Sequence, residues 1–216
     1  EAVNRVQPYE QTKKLFDDAR ELGFHSINVD LIYGLPYQTQ ESFSATIDLI
    51  IKLNPDRIAL FHYAHLPMMV PHQGKYINSS VLPNSSEKIK IFQQALKKLN
   101  DNGYAFIGLD HFAKPDDELS IAKKNKTLHR NFQGYTTKAG CDLYGFGITS
   151  ISSIQNAFSQ NIKKVNPYYE KIEINEIPVF RGFTLNNDDL LRREVIMKIL
   201  CDGEVNKKDI EEKKEK

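Results

Sequence analysis

Hydrophobic positions recur along this chain with two alternating periods. Leu15, Phe16, Ala19 and Leu22 fall at helical spacing, and Gly23 follows where a helix commonly turns left-handed to end. Residues 27–33 form a short β-rich run stopped by Gly34-Leu35-Pro36. Phe43, Ile47, Ile50 and Ile51 mark one face of a second helix, and residues 57–63 a second strand. Ile89, Phe92, Leu96 and Leu99 predict a third helix ending near Gly103. Residues 104–109 read as a third strand, and residues 143–150 as a weaker, glycine-interrupted fourth. A further helix at 188–200 has no strand partner, which places a domain boundary near 185/186.

Helix and strand alternating at this rhythm argue for an α/β fold with a parallel sheet, either open or closed as a barrel. Ligand-binding residues then gather beyond the C-terminal ends of the strands. The loops there are long, roughly twenty residues after Tyr63 and more after Leu109. Composition adds exclusions. With 29 Lys+Arg against 28 Asp+Glu the net charge is +1, which gives no case for a nucleic-acid or membrane-surface partner. No apolar run approaches the roughly 20 residues that span a bilayer, and residues 1–10 carry no signal-peptide core. The two cysteines, Cys141 and Cys201, follow no metal or redox spacing, so a reducing, cytoplasmic setting is expected.

Four places carry candidate chemistry. Asp30 interrupts an apolar strand with Asn28 on its face, so it either meets a structural partner or binds a cationic or hydroxyl-bearing ligand. His62 and His65 lie three apart at a strand end, where alternation separates them, so packing outweighs metal binding. Asp110 beside His111 reads either as an acid–base pair or, more plainly, as a strand end before an acidic helix start opening at Pro115. Residues 129–137, HRNFQGYTT, are dense in hydrogen-bonding side chains without periodicity. They read as a solvated loop or as a carboxylate clamp. No GxSxG, Walker or GxGxxG pattern is present.

Taken in order, VNRVQP, INVDLIYGLPYQT, NPDRIALFHYAHLP, GLDHFAKPDDEL and HRNFQGYTT resemble the oxygen-independent coproporphyrinogen III oxidases of the radical S-adenosylmethionine (SAM) superfamily. The likeness runs from about residue 1 to residue 202. It implies the C-terminal half of a partial (β/α)6 barrel over 1–185 and the start of a mostly helical domain over 186–216. It also implies SAM bound against a [4Fe–4S] cluster, with the cofactors supplying the radical chemistry. A 5′-deoxyadenosyl radical would convert two propionates of coproporphyrinogen III to vinyls, giving protoporphyrinogen IX for haem. An electron donor and an acceptor are needed, and the full-length enzyme is expected to be a cytoplasmic monomer.

Position by position, the resemblance assigns SAM contacts to Arg5, Asp30, Ile32, Ala64, Gln133 and Ile151, the last two near a second SAM. A SAM carboxylate suits Arg5, and its ammonium, sulfonium or ribose diol suits Asp30. His129 and Arg130 are expected to meet substrate propionates. The family's CxxxCxxC cluster motif is absent, as are its upstream SAM contacts, so the sequence is expected to be an inactive fragment of a longer enzyme. Two other readings compete. A radical-SAM-like haem chaperone without turnover usually carries a Tyr-Trp pair where this chain, with no Trp, has Phe132-Gln133-Gly134-Tyr135-Thr136. The other is a natural paralogue without a cluster, acting as a binding module.

Overall fold

The computed structural model describes Val3 and residues 5–214; Asn4 of the VNRVQP motif lies outside the described residues. Two compact units divide the chain, residues 1–121 and 122–216. The sequence suggests a boundary at 185/186 instead.

The first unit opens with α1 (Tyr9–Glu21), which ends as its sequence predicts. Gly23 has φ 85°, and the N–H groups of Gly23 and Phe24 donate to Arg20 O and Ala19 O. Strand β1 (Asn28–Tyr33) follows, then α2 (Gln40–Leu53), β2 (Arg57–His62), a short α3 (Pro71–Tyr76) and α4 (Ser85–Asp101). Reciprocal side-chain caps start the two long helices, Thr39 with Ser42 on α2 and Asn84 with Glu87 on α4. Strands β3 (Ala105–Gly108) and β4 (His111–Ala113) complete the sheet before α5 (Glu118–Lys124).

The sheet order is β1-β2-β4-β3. Only β1 and β2 pair in parallel; β4 is antiparallel to both of its neighbours. The expected third parallel strand is thus the first arm of a hairpin. Its connection, Leu109-Asp110, is far shorter than the dozen or more residues a parallel crossover needs. Leu109 accepts a left-handed φ of 48°, and the register shifts between Phe106 and Gly108. The helix expected from Pro115 starts later, because the Asp117 carboxylate accepts the Leu119 N–H.

Helices α2 and α4 cover one face of this sheet. Phe43, Ile47 and Ile50 meet Ile91, Ala95 and Leu99 over Ile58, Leu60 and Phe112. On α4 the buried stripe is therefore Ile91-Ala95-Leu99, while Ile89, expected inside, is exposed. Tyr104 closes the core's edge by donating its hydroxyl to Pro55 O at 2.7 Å, and burial pushes its pKa up to about 12. Asp56 ties α1 to the sheet. Its carboxylate accepts the Ile27 N–H at 2.8 Å and lies 3.5 Å from Lys114 Nζ, with Arg20 paired on the same oxygen as Ile27.

In the second unit, residues 129–136 are not a loop. They form a hairpin of β5 (His129–Asn131) and β6 (Gly134–Thr136), packed on α7 (Asn187–Asp202). The Tyr135 hydroxyl donates to Leu200 O at 2.8 Å. The helix expected to stand without a strand partner therefore has one. Strands β7 (Ile151–Ile154), β8 (Ala157–Asn161) and β9 (Val179–Thr184) make an antiparallel sheet in that order, with α6 (Val165–Glu173) between the last two in sequence and α8 (Lys207–Lys214) last.

The expected strand at 143–150 does not form. A Cβ at Gly145 would lie 2.9 Å from the Ile151 carbonyl group, so the backbone there approaches too closely for a regular pleat. Buried Asn161 holds this segment in a folded loop, its amide donating to Gly145 O at 3.0 Å and Gly147 O at 2.9 Å.

Candidate active site

The sheet face turned away from α2 and α4 is where the first unit's polar side chains gather. Alternation along β1 sends Val29, Leu31 and Tyr33 to the helices and Asn28, Asp30 and Ile32 to the other side. Register extends that face across the sheet: Asp30 pairs with Ala59, and Ala59 with His111. Ile32 pairs with Phe61, and Asn28 with Arg57.

Asp30 is exposed, so the desolvation cost expected of a carboxylate inside a strand does not arise. It accepts the Asn28 amide at 2.7 Å. Ile32, 46% exposed, and Phe61, 37% exposed, form an apolar shelf beside it. Arg57 closes the far end of the face, donating to Asp117 and Glu118 at 2.8 Å each. Burial opposes the Arg57 charge, but the two carboxylates outweigh it and raise its pKa.

The Asp110–His111 pair is the feature that the sequence discounts and the structure supplies. His111 Nδ1 lies 2.6 Å from Asp110 Oδ1, although the two are adjacent in sequence. The hairpin turn makes this possible: Leu109 is left-handed and the register slips, so Asp110 leaves the pleat while its carbonyl still accepts the Leu60 N–H at 2.7 Å. The His111 ring stands edge-on to Phe61, centroids 6.1 Å apart.

The remaining expected contacts are placed differently. Ala64 lies past the end of β2, where the Gln73 side chain braces the loop by donating to Ala64 O and accepting the Leu66 N–H. Arg5 precedes α1, is exposed, and donates to Gln7 Oε1 at 3.2 Å. His62 packs edge-on to Tyr33, and burial and then Lys88 lower its pKa; His65 meets Ser79 Oγ at 2.9 Å.

In the second unit Gln133 sits at the tip of the β5–β6 hairpin, its N–H donating to Asn131 Oδ1 at 2.8 Å. Ile151 lines a groove with Phe132, Phe158, Gln160 and Arg181. Phe132, neighbour of Gln133, reaches that groove and stands edge-on to Phe158 at 5.1 Å. His129 and Arg130 are consecutive strand residues and alternate in direction, so they do not converge on one carboxylate. Burial, then Arg193, lowers the His129 pKa. Arg130 lies over the Tyr135 ring at 4.9 Å, with Nη1 buried and lacking a hydrogen-bond partner.

The donor sets differ in what they suit. For SAM, the Asp30 carboxylate offers an acceptor to an ammonium or a ribose diol, and Ile32 with Phe61 offers an apolar surface to an adenine. These residues fit. For an iron–sulfur cluster they do not: Cys141 is exposed, burial pushes the Cys201 thiol up, and no three Cys, His, Asp or Glu side chains gather among the described residues. No helix in the described residues is long and apolar enough to cross a membrane.

Fold and site together define an α/β protein with a polar sheet face suited to a ligand. A solved structure described as coproporphyrinogen III oxidase (HemN) from Escherichia coli, a radical SAM enzyme, matches all of this chain with a TM-score of 0.93 and 44% identity, over 49% of its own chain. Among curated relatives, the oxygen-independent coproporphyrinogen III oxidase of Synechocystis is 47% identical over 213 residues, 99% of this chain and 46% of the relative. That of Thermostichus vulcanus is 47% identical over 207 residues, 95% of this chain and 63% of the relative. No protein-family model matches. The chain belongs to the oxygen-independent coproporphyrinogen III oxidase family and spans about half the length of most of the relatives it matches.

Proposed function

We propose that the full-length protein containing this chain oxidatively decarboxylates two propionates of coproporphyrinogen III to vinyls, yielding protoporphyrinogen IX in the cytoplasm. The observation carrying this reading is the 47% identity to named oxidases along 99% of the chain. The SAM contacts we propose are Arg5, Asp30, Ile32, Ala64, Gln133 and Ile151. When bound, SAM supplies a 5′-deoxyadenosyl radical able to take hydrogen from a propionate side chain. The chain's own part is to hold and orient. Asp30, already oriented by Asn28, accepts from the ligand's hydroxyl or ammonium groups. Ile32 and Phe61 shield the ligand from water, and His129 and Arg130 each meet a different carboxylate.

The described residues of this chain do not suit an iron–sulfur cluster, so the isolated chain is expected to be inactive. The test is anaerobic turnover of the full reading frame with coproporphyrinogen III, SAM and a reductant. We expect both 5′-deoxyadenosine and protoporphyrinogen, and an Asp30→Ala loss of SAM affinity of roughly tenfold or more. Haem binding with no decarboxylation would sink the proposal.

A further inference from the structure

We propose that the groove on the β7-β8-β9 sheet seats one pyrrole ring of the porphyrinogen with its propionate on Arg181, a specificity-determining residue; this rests on the decarboxylase reading above. Register builds the groove. Phe158 and Gln160, two apart on β8, share a sheet face. Phe183 pairs with Phe158, while Ile151 and Arg181 flank Gln160 on either side. Phe132 adds a further ring, edge-on to Phe158 at 5.1 Å. Phe132 is 54% and Phe183 58% exposed, so these rings face solvent and offer a heteroaromatic ring an apolar seat.

Charge selects the ligand. A guanidinium stays cationic throughout the physiological range. Arg20, Arg57 and Arg192 are each held by a carboxylate, but no carboxylate among the described residues pairs with Arg181, and no acidic side chain lines the groove. SAM carries an ammonium and a sulfonium against one carboxylate, so a cationic groove end without an acid disfavours it. A propionate on an apolar ring suits both ends. Ile151, proposed above as a SAM contact, belongs to the same lining, so a pyrrole seated here would lie beside SAM.

The guanidinium is also positioned. Arg181 Nε donates to Gln160 Oε1 at 3.0 Å, and Gln160 Nε2 donates to Thr149 O at 3.1 Å, so the Gln160 amide is held at both ends. Neither Nη group of Arg181 meets a hydrogen-bond acceptor among the described residues, which leaves the end-on fork for a bidentate carboxylate. The Thr149 carbonyl is aimed by a left-handed φ of 64°, unfavourable to a β-branched residue. The β8–β9 register shifts between Gln160 and Asn161, a bulge that re-aims the side chains beside it.

The test uses the full-length, cluster-loaded protein. Binding of coproporphyrin III, a stable four-carboxylate probe, is followed by fluorescence quenching, and SAM binding is measured in parallel by calorimetry. Arg181→Met should weaken the porphyrin roughly tenfold and leave SAM affinity within about twofold. Arg181→Lys, which keeps the charge without the fork, should recover part of the loss. Added salt should weaken porphyrin binding more in the wild type than in Arg181→Met. Phe183→Ala, at an exposed position, should weaken the porphyrin in the same direction, and it decides the matter should Arg181→Met fail to fold. In turnover the loss should fall on KM for coproporphyrinogen more than on kcat. Wild-type protein that forms neither 5′-deoxyadenosine nor a vinyl product overturns the decarboxylase reading and this assignment with it. Wild-type turnover with unchanged porphyrin affinity in Arg181→Met and Phe183→Ala overturns this assignment alone, and so does a loss in Arg181→Met that falls on SAM instead of the porphyrin.

Discussion

Asn161 illustrates how much one side chain decides. Its buried amide spans two carbonyls of a glycine-containing loop, and the loop feeds directly into β7 at Ile151. Asn161→Ala removes both donors and leaves two acceptors to find water. We expect a loss of about 1–3 kcal/mol, read by chemical denaturation, with faster amide exchange confined to residues 143–151. A loss spread evenly over the second unit would contradict this role. The same scale separates what the sequence made legible at the site from what it did not. Asp30 stood out because a carboxylate in an apolar run is unusual, yet its exposure was hidden: the sequence does not say which face of β1 the helices take. The Asp110–His111 contact was hidden more deeply, since adjacent residues in an ordinary strand point apart and only the left-handed Leu109 lets them meet.

At the level of elements, periodicity served best where one face packs against helices. The spans of α1, α2, α4, β1 and β2 follow the hydrophobic pattern closely. The phase of α4 does not: Ile89, Phe92, Leu96 and Leu99 make an acceptable stripe, but the sheet meets the helix along Ile91, Ala95 and Leu99. Mutation should expose the difference. Ile91→Ala is expected to cost about 2–5 kcal/mol and Ile89→Ala less than about 1 kcal/mol, measured by urea unfolding of the two variants; equal losses would place the buried face elsewhere. Short strands fared worst. HRNFQGYTT shows no alternation because its strands are three residues long, too short for a period to register. Their pairing, and the docking of Tyr135 on α7, are tertiary facts.

Across the whole molecule, near-neutral net charge leaves pH stability to a few groups whose pKa values change on folding. Burial pushes the Asp56 carboxyl up, but the Ile27 N–H, Arg20 and Lys114 together pull it below its ordinary value. Its contribution is therefore present above the unfolded carboxylate pKa and lost as pH falls through the lower folded one. His62 and His129 are also lowered, both chiefly by burial. Their unfolded forms bind protons first, so their contribution is complete above about pH 6.5 and falls away as pH drops below it. Urea midpoints should decline in two stages, the first as pH falls from about 6.5 to about 5.5 and the second below the carboxylate range. His129→Phe should shrink the first stage; an unchanged midpoint down to pH 5.5 would refute the histidine part.

The sequence by itself determined the α/β class, the main helices and the first two strands, and through its motifs the family. Those properties depend on local period, capping residues and residue identity, all of which are written along the chain. Tertiary structure alone decided that β4 inserts antiparallel between β2 and β3, that α4 buries Ile91 rather than Ile89, and that His111 shares a row with Asp30. Each of these depends on pairing between residues far apart in sequence, where backbone hydrogen bonds and shape, not local pattern, select one register.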